Sequence, residues 1–314
     1  MNNLENKKQQ NSFDNIILDI GKVYDSVSQP AQKCPYPRHS AIFNNIKMYF
    51  NGFLLKTKIY PRLLYSNLIL GWFLEFNKFW LEIIKGRYID VIDFHCLKFH
   101  YRRKYQNIGF DNSNEENNFL DTWQKQENLS MLFQWIWRYA KSAYLNFYPF
   151  LKYLPKNAKI LEYGCGLAPI TKGLIKYQSH KNFKFTIADI KWISFLYAIF
   201  TFKKYQEVDY VTLTPFKNTV DKSNYFDAIV CTEVFEHLPN GFEVMKSFND
   251  NLKSGGILIF DYIKGDADGL NTQKGVENRE LVLRFIKNNF KILSGKIDIN
   301  ESVGLTVVRK LNNK

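Results

Sequence analysis

From Lys159 onward the chain alternates short apolar runs with longer stretches of mixed character. The runs are KILEYG, KFTIADI, VDYVTL, YFDAIVCTE, GILIFDYI, FKILSGKI and GLTVVRK. Each is too short for a helix and rich enough in branched and aromatic residues to be a strand. Helix-length segments separate the first five, the pattern of a parallel sheet with helices on both faces. The last two follow one another over a short link and are expected to pair antiparallel. The fold class is therefore α/β, a doubly wound and mostly parallel sheet of seven strands. LKSGGILIFDYI reads as a helix stopping at Gly255–Gly256 before a fully apolar strand. No internal repeat is visible.

The first half has a different texture. From Ile42 to about Tyr105, bulky apolar and aromatic residues recur at three and four, a helical spacing, with Gly86 as a helix stop. DNSNEENN, Asp111 to Asn118, lacks any apolar residue and reads as a linker. LSMLFQWIWRYAKSAYLNFYPFLKYLP then suggests one or two aromatic helices closed by Pro155. Three parts are expected: a polar segment over 1–40, a helical cap or recognition region over 41–125, and a cofactor-binding domain over 126–314.

Composition narrows this picture. Over 314 residues, 46% hydrophobic and 23% charged excludes a disordered chain. Lys and Arg number 43 against 30 Asp and Glu, a formal charge of +13. That excess favours anionic partners, and equally a Lys-rich surface without a partner. Cys34, Cys96, Cys165 and Cys231 show no CxxC spacing and read as free thiols of a reducing compartment. The polar N-terminus has no apolar signal region, and the most apolar windows fall short of the ~18–20 residues that span a bilayer. A cytoplasmic location is expected.

The candidate chemistry clusters at the ends of the runs. In LEYGCGLAP, Gly164 and Gly166 sit where the first strand would turn, at the end of an open α/β sheet where ligands bind. Glycine tolerates positive φ and admits a ligand close to the backbone. A structural turn explains the same residues, and Pro169 stands where a third glycine of a dinucleotide fingerprint would be. Asp189 ends the second run about 20 positions later, placed to bind both hydroxyls of a ribose; a helix N-cap is the alternative. After the fourth run come Glu233, Glu236 and His237, which would share one face of a helix. Such a trio can act as a general base or bind a divalent cation. A helix start with glutamates at its positive end is the other reading.

Taken in order, ILEYGCG, ADI, YFDAIVCTEVFEHL and LKSGGILIF resemble the class I S-adenosylmethionine-dependent methyltransferases, over Lys159 to about Lys310. The resemblance implies a Rossmann-like methyltransferase fold with S-adenosylmethionine as cofactor. It implies that Glu162, Gly164, Cys165 and Gly166 hold the methionine part and that Asp189, with Ile190, holds the ribose. Cys231, Thr232 and Glu233 to Val234 would line the cofactor and face the acceptor. The adenine acid common after strand three is displaced here: the matching position is near Tyr210, with either Asp209 as a substitute or the adenine held by backbone and stacking. EVFEH also resembles two metal-using branches, in which Glu233, Glu236 and His237 would hold a divalent cation and a further donor such as Asp261 would be needed. The pattern occurs in metal-free relatives too, and a metal is not favoured.

The resemblance implies methyl transfer; with no RNA-binding module signature in the sequence, the expected acceptor is an oxygen or nitrogen of a small metabolite or sugar, anionic ones included. His237 would be the base, with Glu233 and Glu236 beside it. Acceptor choice would fall to the helical half, whose FHYRRKY and RLLYSNLILGWF stretches suit a small-acceptor pocket, an RNA-binding face, a peripheral membrane contact or a homodimer interface. RNA methylation, and a non-catalytic protein that binds partners through this half, are the competing functions.

Overall fold

The computed structural model describes residues 71–84, 94, 98, 130–139, 148–214, 217–265 and 271–312. The chain divides into two compact units, residues 1–109 with 126–141 and residues 110–125 with 142–314. Residues 126–141, expected with the cofactor domain, fall in the first of these units. The expectations for residues 1–40, Gly86 and residues 111–118 lie outside the described residues.

In the first unit, helix α1 is Gly71–Glu82 and helix α2 is Ser130–Tyr139. Phe73, Phe76, Phe79 and Trp80 recur at helical spacing and are buried, while Leu74 on the other face is exposed. The Phe76 ring stacks on Trp80 at 5.8 Å, and Phe133 of α2 meets Phe76 at 5.3 Å. Phe94 closes the group edge-on to Phe76 at 5.2 Å. These rings are a core of their own, and each buried aromatic contributes roughly 2–3 kcal/mol.

Among the described residues of the second unit, the short helix α3, Tyr148–Leu151, comes first and is followed by a seven-stranded sheet. Its strands are β1 Lys159–Tyr163, β2 Lys184–Ile190, β3 Val208–Leu213, β4 Phe226–Cys231, β5 Leu252–Tyr262, β6 Phe290–Ser294 and β7 Val303–Lys310. All seven overlap the apolar runs of the sequence, and β5 begins four residues before its run. The order is β3-β2-β1-β4-β5-β7-β6. The first five are parallel to one another, and β7 runs antiparallel to both β5 and β6. The helices are α4 Pro169–Tyr177, α5 Ile193–Phe202, α6 Gly241–Asn251 and α7 Gln273–Asn289. Every residue of α5 is buried, as its apolar sequence ISFLYAIFTF demands.

Two expectations about connections are corrected. Among the described residues no helix joins β3 to β4; Thr214 and Lys217 form an isolated antiparallel bridge instead. Gly255–Gly256 does not end a helix. Helix α6 stops at Asn251, and the glycines lie inside β5 where its pairing with β4 shifts register. A side chain at Gly256 would come within 2.9 Å of the Lys253 carbonyl, so the bulge excludes anything larger.

The chain leaves β1 for β2 and β3 on one side and returns to β4 on the other. The strand order thus reverses between β1 and β4, and their carboxyl ends frame the crevice where ligands of open α/β sheets bind.

Candidate active site

The turn after β1 is built by a buried carboxylate. Gly164, Gly166 and Ala168 all have left-handed backbone, with φ of 61°, 54° and 49°. Helix α4 therefore starts at Ala168, which has no side chain to cap it, and Pro169 opens the helix without an N–H. Glu162, one strand residue back, fills that role. Its Oε1 accepts the Ile170 N–H at 3.2 Å and its Oε2 the Thr171 N–H at 2.8 Å. Pro169 thus stands in place of a third glycine because Glu162, not a ligand, takes up the free N–H groups of the first turn. Burial raises the Glu162 carboxyl to about 7 despite these bonds.

Asp189, next to last in β2, lies directly beside this turn. Its Oδ2 accepts the Gly166 N–H at 2.6 Å and its Oδ1 accepts the Ile190 N–H at 2.7 Å. Burial, opposed by these bonds and by the Trp192 side chain, raises its carboxyl to about 6. A carboxylate has about four acceptor positions, so further lone pairs are left for ligand hydroxyls. It is not a helix N-cap: Trp192 is the residue before α5.

The two glycines do different things. A Cβ on Gly164 would fall 2.4 Å from Cγ2 of Val234, so the space in front of this glycine is filled by the segment after β4. The room that the sequence suggested for a ligand is, at Gly164, room for a valine. Cys165 is buried, its N–H donating to the Ala188 carbonyl at 3.2 Å, and burial raises its thiol well above the usual range. Cys231, at the end of β4, is buried and raised for the same reason, with Asp261 and Glu236 adding to it.

Residues 232–238 depart from the expected helix. Glu233 is exposed and has left-handed backbone, φ 56°, and only Phe235–His237 forms a single 3-10 turn. Glu233, Glu236 and His237 therefore do not line one helical face. The Glu233 N–H is held at 2.6 Å by Oδ1 of Asp261, which lies near the end of β5. Glu236 is 2% exposed, and its Oε2 has no hydrogen-bond partner. Burial, with Asp261 and Glu233 adding, raises its carboxyl to about 8. Burial thus favours its protonated form over the carboxylate. Among the described residues no group of three or more His, Cys, Asp and Glu side chains is arranged to hold a metal ion.

The substitute adenine acid is also corrected. Asp209 pairs in register with Thr186, while the tip residue Asp189 pairs with Thr212. At ~3.3 Å per residue that leaves Asp209 about 10 Å below the tips. It is exposed there, 3.9 Å from Lys222. Two uncharged amides stand beside the crevice instead. Asn218 and Asn240 exchange side-chain amide bonds of 2.6 and 2.9 Å, and the Asn218 carbonyl accepts the Tyr163 hydroxyl at 2.6 Å. Neither asparagine was singled out from sequence. Asp261 was, and its place near the end of the run GILIFDYI was the available signal.

The three raised carboxyls set a pH dependence. Asp189 rises from 3.8 to about 6, Glu162 from 4.5 to about 7 and Glu236 from 4.5 to about 8. Folded protein thus holds protons that the unfolded chain has already released, so the contribution of these three groups to stability is fully present below their unfolded values and is lost as pH rises through about 6 to about 8. Glu236→Gln, neutral at every pH, is expected to flatten the upper part of that decline by an amount on the order of a few kcal/mol. Urea unfolding at a series of pH values measures it, and an unchanged slope in the variant would remove Glu236 as its source.

Comparison with known proteins agrees with this architecture. A family model described as a methyltransferase domain matches residues 136–310, more than half of the chain. Similar solved structures include N-methyltransferase NodS from Bradyrhizobium japonicum WM9 in complex with S-adenosyl-L-homocysteine, 16% identical over 66% of this chain and 97% of that one, TM-score 0.40. Another is the 1,6-didemethyltoxoflavin-N1-methyltransferase of Burkholderia thailandensis with bound 1,6-didemethyltoxoflavin and S-adenosylhomocysteine, 14% identical over 63% of this chain and 87% of that one, TM-score 0.41. A third is the [4+2]-cyclase SpnF, 12% identical over 55% of this chain and 83% of that one, TM-score 0.43. With the match covering the whole sheet from β1 to β7, the chain belongs to the methyltransferase domain family, of the class I S-adenosylmethionine-dependent type.

Proposed function

We propose that this protein transfers a methyl group from S-adenosylmethionine to an oxygen or nitrogen of a small molecule. One observation carries the reading: Asp189 at the tip of β2 is tied to Gly166 of the β1 turn, at the point where the strand order reverses. The residues there fit the cofactor. Asp189 keeps acceptor capacity for the two ribose hydroxyls, and the uncharged amides of Asn218 and Asn240 suit an adenine edge. Bound there, the cofactor supplies a methyl group already activated by a sulfonium, so the protein's task is mainly alignment.

The chain's own residues divide that task. Glu162 holds the start of α4 and so fixes the turn containing Cys165 and Gly166. Asp189, with Ile190 beside it, grips the sugar. Asp261 holds Glu233 in its left-handed conformation and thereby sets where Thr232, Val234 and His237 stand. His237, half-buried beside the strand tips, is the base for an acceptor that must lose a proton. Glu236 supports this segment from below. Its backbone carbonyl accepts the Thr272 N–H at 3.1 Å.

A calorimetric titration with S-adenosylmethionine tests the reading, with saturable binding as the expected result. A flat trace would favour a non-catalytic protein. His237→Ala is expected to lower turnover by ~10²-fold or more at unchanged cofactor affinity. A normal rate would reduce His237 to packing.

A further inference from the structure

The charge of this protein is not spread evenly over its catalytic unit. Parallel strands and their crossover helices run in opposite directions, so the amino ends of the strands and the carboxyl ends of the helices share one end of the sheet, away from Asp189. Lysines collect there. Lys184 and Lys159 open β2 and β1 and are register partners. Lys253 lies at the start of β5, and Lys291 near the start of β6 pairs with Arg309 of β7. Lys156 precedes β1, and Lys176 sits in the last turn of α4. From β2 to β6 this strip crosses five strand spacings, about 24 Å.

Carboxylates at this end are fewer than the lysines, and two of them are engaged. Asp227 takes the Lys253 ammonium at 2.7 Å and the Lys159 backbone N–H at 2.8 Å, and Asp209 lies 3.9 Å from Lys222. Glu207 and Asp250 complete the set. Lys156, Lys176, Lys184 and Lys291 have no ion-pair partner among the described residues. The opposite end carries Asp189, Glu233, Glu236, Asp261, Glu277 and Glu280 interspersed with Lys191, Lys217, Lys264, Lys274 and Lys296, so the two signs are mixed there. A compositional bias toward lysine does not by itself leave the amino end so poor in carboxylates. Complementing helix dipoles accounts for Lys176 but not for lysines at strand starts.

The same end also exposes apolar side chains. Tyr177, at the end of α4, is 44% exposed, and Leu311, just past β7, is 44% exposed. All but one of the strip's named cations are lysine: hydrated point charges on flexible stems, without the forked geometry that reads phosphates of nucleic acid in fixed positions. A broad lysine strip with protruding Tyr and Leu matches the requirements of an anionic bilayer surface, where each lysine adds attraction and apolar side chains enter the headgroup layer.

We propose that the amino-end face of the sheet docks the protein on an anionic lipid surface. The candidate active site then points away from the bilayer, about a strand length above it, toward acceptors in solution. This inference is independent of the proposed methyl transfer.

Vesicle flotation of the full chain tests it. Binding is expected to vesicles containing about a third phosphatidylglycerol in phosphatidylcholine, and not to phosphatidylcholine alone, at about a tenth molar salt. The triple variant Lys156→Glu, Lys184→Glu, Lys291→Glu is expected to bind at least ~10-fold more weakly, with its unfolding midpoint and S-adenosylmethionine affinity retained. A control carrying Lys246→Glu and Arg284→Glu, on outward faces of α6 and α7, is expected to bind like the parent. Equal binding by the triple variant would overturn the assignment, as would an equal loss in the control. Failure to bind the anionic vesicles, with retention of a short single-stranded RNA that the triple variant loses, would make the face a nucleic-acid surface instead.

Discussion

Asp189→Ala is expected to weaken S-adenosylmethionine binding by ~100-fold or more and to lower the unfolding midpoint as well. Both effects come from one geometry. The carboxylate accepts the N–H groups of Gly166 and Ile190 at 2.6 and 2.7 Å, and alanine leaves both donors without their partner in a buried place. Each orphaned donor costs about 1–3 kcal/mol. From sequence alone the same substitution would be expected to spare the fold; the structure shows that the residue gripping the sugar also closes the glycine turn. Asp189→Asn separates the two roles. It keeps one carbonyl acceptor for the turn and turns an amide toward the other N–H, so stability should fall less than in the alanine variant. Cofactor affinity should still fall, because the charge that binds both hydroxyls is gone. An Asn variant with full affinity would remove Asp189 from the ribose site.

Gly164→Ala is the second large effect. The position has φ of 61°, which costs an alanine about 1–2 kcal/mol. Its Cβ would also meet Cγ2 of Val234 at 2.4 Å and Cγ1 at 2.9 Å, adding about 1–3 kcal/mol of overpacking. At ~2–4 °C per kcal/mol for a domain of this size, a midpoint lowered by roughly 5–15 °C is expected in thermal unfolding. Adding Val234→Ala should restore the steric share and leave the backbone share. The two substitutions are therefore non-additive. A Gly164→Ala protein with an unchanged midpoint would mean that the turn can rearrange, and the packing of Val234 on the glycine would lose its role in shaping the crevice.

The candidate site shows where a one-dimensional pattern is sufficient. Residues such as Gly164 and Asp189 declare themselves because they end strands, and a strand end is a local event. Glu162 was legible as a site residue but not in its role. That it caps α4 depends on Ala168 having no side chain to offer and on Pro169 having no N–H, and on strand and helix folding back together. Glu233, Glu236 and His237 were misplaced because their spacing fits a helix while the backbone does not follow one. Asp261, 28 positions away, binds the Glu233 N–H and supports a left-handed residue that spacing cannot foresee. The misplaced Gly255–Gly256 has a similar cause: the bulge exists only relative to β4.

By itself, then, the chain of residues determined the seven strands, their mixed directions and the positions of the tip carboxylates. Alternation and run length act between near neighbours, and hydrophobic burial enforces them wherever the strand finally lies. Only the tertiary structure decided which groups meet: Asp189 with Gly166, Val234 with Gly164, Asp261 with Glu233, and the lysines of separate strands along one face. Those contacts join residues far apart along the chain, and the register of the sheet, which brings them within a few ångströms, is a property of no single segment.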